Sequence, residues 1–171
     1  MLMLLLQNNL QTDDPYMKTA ENAFIRYSDM VFALAYSRCG ANYSDAQDIT
    51  GEVFYRLVRK KPEFESDEHM RAWLVRVTLN CTASMQTTAW HKNTVSLTES
   101  PVTQAMDEED SEVYAAVLSL PVKLRTAIHL FYYEDYSVED IAKAMGAKPN
   151  TVKSWLKRGR DSLRNKLKDE I

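Results

Sequence analysis

Apolar residues recur every three or four positions along most of this chain, which is the spacing of one face of an α-helix. A strand would instead show strict alternation of apolar and polar residues, and no segment here has a convincing pattern of that kind. We therefore expect an all-α protein. The spacing predicts helices over residues 21–38, 44–61, 67–85, 112–119, 122–133, 137–146 and 149–167.

Two of these helices start with a capping box, a hydroxyl residue followed three positions later by an acid or amide. Ser44 is followed by Gln47, and Ser137 is followed by Asp140. Such a pair satisfies backbone N–H groups that have no partner in the first helical turn. Pro62 is expected to end the second helix, because proline cannot donate the backbone hydrogen bond that continuation needs.

Helical spacing fails between residues 91 and 111. This segment combines Ser, Thr and Pro with an acidic run at 107–110, a composition typical of linkers. We expect a 1–19 extension, a helical domain at 20–90, a flexible acidic linker at 91–111 and a second helical domain at 112–171.

The last two predicted helices have the layout of a helix-turn-helix. Gly146 ends the first of them, because glycine adopts the positive φ that a helix end often requires. Pro149 starts the second, where its missing N–H costs nothing. In a helix-turn-helix the second helix enters the major groove of DNA.

The charge of the last helix supports DNA binding. Residues 147–168 contain eight basic residues and one acid, a local charge of +7 in a chain whose net charge is −3. Neutralisation of phosphates dominates the affinity of proteins for DNA. A merely solvated basic face is the alternative interpretation of the same run.

Catalytic and metal sites are not expected. Cys39 and Cys81 belong to no C-x-x-C or C-x-x-H pattern, so we expect small core residues rather than a zinc site or a disulfide. His69, His91 and His129 form no pairing with a nucleophile or a second ligand. With no glycine-rich phosphate loop, the sequence predicts no enzyme, no cofactor and no small-molecule substrate.

The apolar start, MLMLLL, is six residues long and has no basic residues before it. It does not fit a signal peptide, and no other stretch approaches the roughly 20 apolar residues that span a bilayer. We expect a cytoplasmic protein.

Three segments of the chain resemble extracytoplasmic-function (ECF) sigma factors of bacterial RNA polymerase, members of the sigma-70 family. DAQDITGEVFYRLVRK resembles the DAEDL-x-QEVF helix of region 2, and FESDEHMRAWLVRVTLN resembles the F-x-x-W-L-x-R-I-x-x-N helix that follows it. Residues 120–167 resemble region 4 almost throughout. The resemblance implies two helical domains, no enzymatic activity and the function of an alternative sigma factor in transcription initiation.

The resemblance also implies contact with the polymerase. The first of these helices in the family docks on the clamp of the largest subunit, and region 4 implies contact with the flap. Matching positions here are Asp45, Asp48, Ile49, Glu52 and Phe54. The three acids fall at i, i+3 and i+7 on one helix face, although acids also suit a helix N-terminus.

The following helix would bind the melted minus-10 element. By resemblance, the residues that contact this strand are Arg71, Arg76 and Asn80. Trp73 is expected to be a core residue rather than a stacking platform. Residues 81–92 are less basic than in the family, and Trp90 is a candidate for stacking in place of charge.

The recognition helix would bind the minus-35 element. Candidate contacts lie off its apolar stripe or in its first turn, and they are Lys148, Asn150, Thr151, Lys153, Ser154, Lys157 and Arg158. Lys148 stands at the N-cap, where lysine is a poor cap and can contact a phosphate instead. Trp155 replaces a common arginine and either packs on the domain core or contacts DNA.

The resemblance further implies an anti-sigma factor as a partner, beside core RNA polymerase and promoter DNA. A stand-alone helix-turn-helix regulator is the alternative function. Such a regulator of the response-regulator class would need an α/β receiver domain, whereas the first ninety residues predict helices.

Overall fold

A computed structural model describes residues 14–87 and 108–169 of the chain. Within these ranges it contains seven α-helices and no β-strand, so the predicted all-α class is confirmed. The helices are α1 (Pro15–Arg38), α2 (Tyr43–Lys60), α3 (Asp67–Thr87), α4 (Glu108–Leu118), α5 (Val122–Tyr132), α6 (Val138–Met145) and α7 (Pro149–Asp169). Residues 91–107 of the predicted linker, His91 among them, and also Trp90, fall outside the described residues. The remaining three acids of the 107–110 run belong to the first turn of α4, so this helix begins four residues before the predicted start at 112.

The first helix begins earlier than the apolar spacing predicts. α1 starts at Pro15 rather than at residue 21, because Asp14 caps it: its side chain accepts a hydrogen bond from the backbone N–H of Tyr16 at 3.0 Å. Proline at the first helical position adds to this start, since its φ already suits a helix. Tyr16 and Ala20 of this added segment also pack on the apolar core of the first three helices.

The start of α2 corrects the predicted capping box. The cap is Asn42, whose side chain accepts from the backbone N–H of Asp45 at 3.0 Å, and Ser44 lies inside the helix. Gly40 and Ala41 both have positive φ, 65° and 67°. This left-handed turn leaves Asn42 in extended backbone, which is the conformation that an N-cap needs.

The helix-turn-helix has the predicted ends. The Ser137 side chain accepts from the backbone N–H of Asp140 at 3.1 Å, and Gly146 ends α6 in the left-handed conformation with φ 62°. α7 begins at Pro149, and the carbonyl of Lys148 accepts the first helical hydrogen bond, from the N–H of Thr151 at 2.9 Å.

Two apolar cores hold the helices together, and each draws residues from both halves of the chain. The first core lies among α1, α2 and α3 and also takes in Tyr114 and Leu118 of α4. The second lies among α4, α5, α6 and α7 and also takes in Leu34 of α1 and Val75 and Leu79 of α3. The two helical halves are therefore packed against each other.

No helix in the described ranges combines the length and the apolar character needed to cross a bilayer. Likewise, residues 14–87 and 108–169 contain no cluster of three or more His, Cys, Asp or Glu side chains arranged for a metal ion.

The close approach of α5 and α7 depends on a glycine. A Cβ placed on Gly159 would lie 2.8 Å from Cγ1 of Ile128, which is buried in the second core. Gly51, in the middle of α2, has no atom within 4 Å of the corresponding Cβ position. Both glycines lie inside helices, but only Gly159 lies where an added methyl group would contact a neighbouring helix.

We expect Gly159→Ala to lower the free energy of unfolding by about 1 kcal/mol. Overpacking a core costs about 1–3 kcal/mol, and the better helix propensity of alanine offsets about 1 kcal/mol of that. Gly51→Ala is the matched control and should stabilise the protein by about 0.5–1 kcal/mol. Urea unfolding followed by circular dichroism measures both, and equal stabilisation by the two variants would contradict this packing role.

Both cysteines have environments that suppress thiol reactivity. Cys81 is buried in α3, and Cys39 caps the end of α1 and packs against the first core. Burial raises the pKa of the Cys39 thiol to about 11, and burial also raises the pKa of Cys81.

We expect iodoacetamide to alkylate Cys39 about a hundredfold more slowly than an ordinary cysteine near pH 8.5, because only the thiolate reacts. Mass spectrometry of timed samples measures the rate at each thiol, with the same protein in denaturant as the control. A native rate within a few-fold of the denatured rate would show that burial does not protect this thiol.

Candidate nucleic-acid interface

The predicted minus-35 residues lie on the solvent side of the helix-turn-helix. The opposite side of α7 is buried through Val152, Leu156 and Gly159. Thr151 is half-buried, and the exposed candidates are Lys148, Asn150, Lys153, Ser154, Lys157 and Arg158. The recognition helix thus presents a continuous basic and polar face that no other described element covers.

The first turn of α7 has the features of an anion-binding helix start. Its backbone N–H groups carry the positive end of the helix dipole, and Lys148 adds a charge beside them. The hydroxyl of Ser154 donates to the carbonyl of Asn150 at 3.0 Å. While that bond holds, Ser154 offers only acceptor lone pairs to a base or water.

Trp155 packs on the edge of the second core and is half-buried. The ammonium of Lys123 lies 6.0 Å from the centre of its ring, within range of a cation–π interaction. The position of Trp155 therefore favours packing on the domain core over contact with DNA. Trp73 likewise packs against the first core, edge to face with Phe64 at 5.9 Å.

Arg71, predicted to bind the minus-10 strand, is held by the helix-turn-helix half. Its Nη2 donates to the backbone carbonyl of Glu134 at 2.5 Å and lies 3.3 Å from Oε2 of the same residue. Its guanidinium also lies 4.7 Å from the ring centre of Tyr136. Three contacts from one loop therefore surround this side chain.

The other two minus-10 candidates lie further along α3. Nη2 of Arg76 donates to the carbonyl of Lys143, in α6, at 3.4 Å. Asn80 is exposed, and its backbone carbonyl accepts from Ser84 within α3 at 3.0 Å. The structure thus brings Arg71 and Arg76 against the helix-turn-helix half and leaves the Asn80 side chain outside that contact.

A cleft remains between α3 and α6, with a cavity volume of about 340 Å³. Its walls carry both signs of charge, with Arg71, Arg76 and Lys143 facing Glu68, Asp135 and Asp140. The charges balance, so this cleft has no strong preference for an anion.

The polymerase-docking candidates divide into exposed acids and buried apolar residues. Asp48 and Glu52 are exposed on α2, and Asp45 is half-buried. Ile49 and Phe54 are only 1% and 2% exposed and belong to the first core. Their apolar side chains pack α2 against the rest of the first half, and direct contact of these two residues with the polymerase stays a prediction.

The exposed face of α2 includes neighbours that the motif match did not single out. Tyr55 is 38% exposed, and its hydroxyl accepts from Nη1 of Arg59 at 3.1 Å. Arg56 pairs with Glu52 at 2.6 Å. These residues follow Asp48 at helical spacing, so the periodicity of the sequence could have assigned them to the same exposed face.

A second feature that the sequence did not predict is a partly buried set of polar contacts between the two halves. Arg38, at the end of α1, donates through Nε to Oγ1 of Thr82 and through Nη1 to Oγ1 of Thr126, both at 2.6 Å. Arg125 of α5 donates to the backbone carbonyl of Arg38 at 3.2 Å and to the carbonyl of Leu118 at the end of α4. We call these contacts the arginine joint.

Removing the two guanidinium charges of the arginine joint from water is unfavourable, and helix carbonyls beside them compensate for that cost. Burial lowers the pKa of Arg38 and of Arg125, and the charge of Arg125 lowers the pKa of Arg38 further. Both groups still remain charged near neutrality, since an arginine side chain is effectively always protonated in proteins. Helix carbonyls compensate, because the C-terminal ends of α1 and α4 carry partial negative charge that favours a cation.

Comparison with protein families matches two segments of the chain. Residues 23–90 match the family described as sigma-70 region 2, and residues 110–163 match sigma-70, region 4. Together the two matches cover more than half of the chain.

Two curated relatives illustrate the similarity in sequence. The ECF RNA polymerase sigma factor SigE of Mycolicibacterium smegmatis is 31% identical over 91% of this chain and 64% of its own length. SigW of Bacillus subtilis, also an ECF RNA polymerase sigma factor, is 28% identical over 84% of this chain and 86% of its own. This chain thus spans just under two thirds of the mycobacterial relative.

Solved structures share the fold. The sigma factor RpoE of Bartonella quintana, in complex with the anti-sigma factor NepR, has a TM-score of 0.72 at 22% identity and covers 88% of this chain and 98% of its own. CnrH, in complex with the cytosolic domain of CnrY, has a TM-score of 0.67 at 18% identity and covers 99% and 98%. With both regions matched, in order and on a helical fold of this kind, the chain belongs to the ECF group of the sigma-70 family, the alternative sigma factors of transcription initiation.

Proposed function

We propose that this protein is an alternative sigma factor that binds core RNA polymerase and directs it to promoters through separate minus-35 and minus-10 contacts. In this proposal residues 20–90 serve as region 2, 112–171 as region 4 and 91–111 as the linker. The observation that carries it is the uncovered basic face of α7 in a helix-turn-helix whose first helix is capped at both ends. The protein acts by binding, without enzymatic chemistry, and it works in the cytoplasm.

The minus-35 contacts divide between phosphate and base. Lys148 and the first-turn N–H groups of α7 suit a phosphate. Lys153, Lys157 and Arg158 project from the exposed face, and such side chains donate to guanine O6 and N7 in the major groove. Asn150, Thr151 and Ser154 complete the surface with neutral polar groups.

The minus-10 contacts are proposed on α3. Asn80 is exposed and carries both a donor and an acceptor, which is what reading the edge of an unstacked base requires. Arg71 and Arg76 would hold the backbone of the single strand once the helix-turn-helix half has moved away from them.

The polymerase contact is proposed on the exposed face of α2, through Asp48, Glu52 and the neighbouring Tyr55. Asp48 and Glu52 are exposed in the free protein, and a basic partner surface would compete with Arg56 for the carboxylate of Glu52. Region 4 would contact the flap of the polymerase.

An anti-sigma factor is the proposed regulator. The two structural relatives above are described as complexes with an anti-sigma factor and with a cytosolic partner domain. The same fold in this chain supports a partner of the same kind.

We expect Lys153→Ala or Arg158→Ala to weaken minus-35 binding about tenfold or more, since a good base contact contributes about 1–3 kcal/mol. Asn80→Ala should leave minus-35 binding unchanged and impair promoter opening. Run-off transcription with core polymerase on a pool of genomic promoter fragments first identifies a promoter. Fluorescence anisotropy with the minus-35 duplex and permanganate reactivity of the melted strand then separate the two effects.

Lys168→Ala is the control for that experiment, because it removes the same charge from the far end of α7. Equal loss of minus-35 binding in Lys153→Ala, Arg158→Ala and Asn80→Ala would refute the division of labour. A chain that binds duplex DNA but neither binds core polymerase nor supports transcription would be a stand-alone regulator.

We expect Asp48→Asn to weaken binding to core polymerase several-fold, because it removes one charge from an exposed acidic face without changing its shape. Glu21→Gln on α1 is the matched control, an exposed acid outside that face. Competition against a labelled reference sigma factor measures both affinities. An identical affinity for the two variants would place the polymerase contact elsewhere.

A further inference from the structure

One side of α7 has an aromatic residue among its polar ones. Thr151, Trp155 and Arg158 follow one another at spacings of four and three residues, so their side chains form a row along the helix. Thr151 and Trp155 are half-buried, and Arg158 is exposed. The row therefore lies at the boundary between the exposed basic face of α7 and its buried side, and Trp155 contributes no charge to it.

A cation from a different helix lies at this position. Lys123 is exposed in the first turn of α5. Its ammonium is 6.0 Å from the ring centre of Trp155, within range of a cation–π interaction. Both residues belong to the second half of the chain. The contact therefore places a positive charge of α5 beside the recognition helix, whatever the first half does.

Lys123 is available to bind an anion outside the chain. Within residues 14–87 and 108–169 the ion pairs are made by other cations. Lys143 of α6, by contrast, lies 3.8 Å from a carboxylate oxygen of Asp140. An ammonium carries three N–H donors, and an aromatic ring covers only one side of it. The contact with Trp155 therefore leaves donors of Lys123 free.

Phosphates are the groups that meet the flank of a recognition helix. An α-helix with its side chains is about 10–12 Å across, and the major groove of B-DNA is about 12 Å wide. A helix that fills the groove points its most exposed side chains at the bases and its two flanks at the phosphate backbones. The ammonium of Lys123 lies on such a flank.

We propose that Lys123 is a further phosphate contact of the minus-35 interface and that Trp155 is the positioning residue that holds its ammonium beside α7. This inference rests on the proposed function in one respect, the entry of α7 into the major groove. It adds a side chain of α5 to the interface, and it gives Trp155 a role in DNA binding that requires no contact between its ring and DNA.

Removal of the Lys123 charge should change the salt dependence of binding. Each neutralised phosphate contributes about 0.9 to the slope of log affinity against log salt concentration. Lys123→Gln should therefore reduce that slope by about 0.9 and weaken binding several-fold, equally for the minus-35 duplex and for an unrelated duplex. Lys168→Gln is the matched control, because it removes the same charge from the far end of α7 and should leave the slope unchanged.

The role of Trp155 is tested with and without the lysine. Trp155→Leu keeps an apolar side chain at the edge of the second core and removes the ring. It should weaken binding about two- to fivefold, the strength of an exposed cation–π interaction, and it should have no further effect once Lys123→Gln is present. Trp155→Phe retains an aromatic face and should restore most of the affinity. An equal loss in both backgrounds would show a purely structural role for Trp155.

Neutral phosphate analogues test direct contact. Single methylphosphonates are placed along both strands of the minus-35 duplex that run-off transcription identifies. At one phosphate on the edge of the groove, the analogue should weaken binding of the unmodified chain and leave binding of Lys123→Gln unchanged. Fluorescence anisotropy of the full chain over a series of KCl concentrations measures every affinity, and circular dichroism checks that each variant is folded. If every analogue weakens both proteins equally, the direct contact is overturned.

Lys153→Ala separates failure of this proposal from failure of the proposed function. If Lys153→Ala weakens binding of the minus-35 duplex while Lys123→Gln behaves like Lys168→Gln, only the phosphate contact of Lys123 is overturned. If Lys153→Ala also binds as tightly as the unmodified chain, the assignment of α7 as the DNA reader fails, and this inference fails with it.

Discussion

Two guanidinium groups, the half-buried Arg38 and the buried Arg125, are the constraint on which the arrangement of this protein depends. Taking a cation out of water is costly unless hydrogen bonds and opposite partial charge replace its hydration. Here threonine hydroxyls and the carbonyls at the ends of α1 and α4 supply both. Since those groups come from both halves of the chain, satisfying the two charges requires the halves to be together.

That requirement determines which surfaces are open. With α5 held against α1, α6 lies over α3, and the buried side of α7 faces the second core. The basic face of α7 and the acidic face of α2 then point to solvent, while part of α3 is covered. One packing arrangement thus displays two candidate binding surfaces and covers part of a third.

The carboxylate of Glu134 connects the covered surface to the second core. It lies 3.3 Å from Nη2 of Arg71, and its other oxygen lies 3.5 Å from Nε2 of the buried His129. Tyr133 stacks on His129 and meets Tyr114 of α4 edge to face. The group that holds Arg71 is therefore anchored in packed aromatic structure.

The sequence alone was sufficient for the features that depend on neighbouring residues. The helix-turn-helix, its serine cap and its glycine end follow from Ser137, Gly146 and Pro149, whose effects act within one turn. The motif matches were likewise enough for the family. The cap of α2 was missed because the left-handed turn at Gly40 and Ala41 moved the helix start to Asn42.

Only the tertiary structure decided which candidate residues are free to act. Ile49 and Phe54 match a docking motif and yet form core, because burial depends on which face the rest of the fold covers. Arg71 finds its partner 63 residues further along the chain, and Arg38 finds Thr126 at a separation of 88. Local periodicity carries no information about contacts over such distances, so the closed arrangement of the two halves could be seen only in the folded molecule.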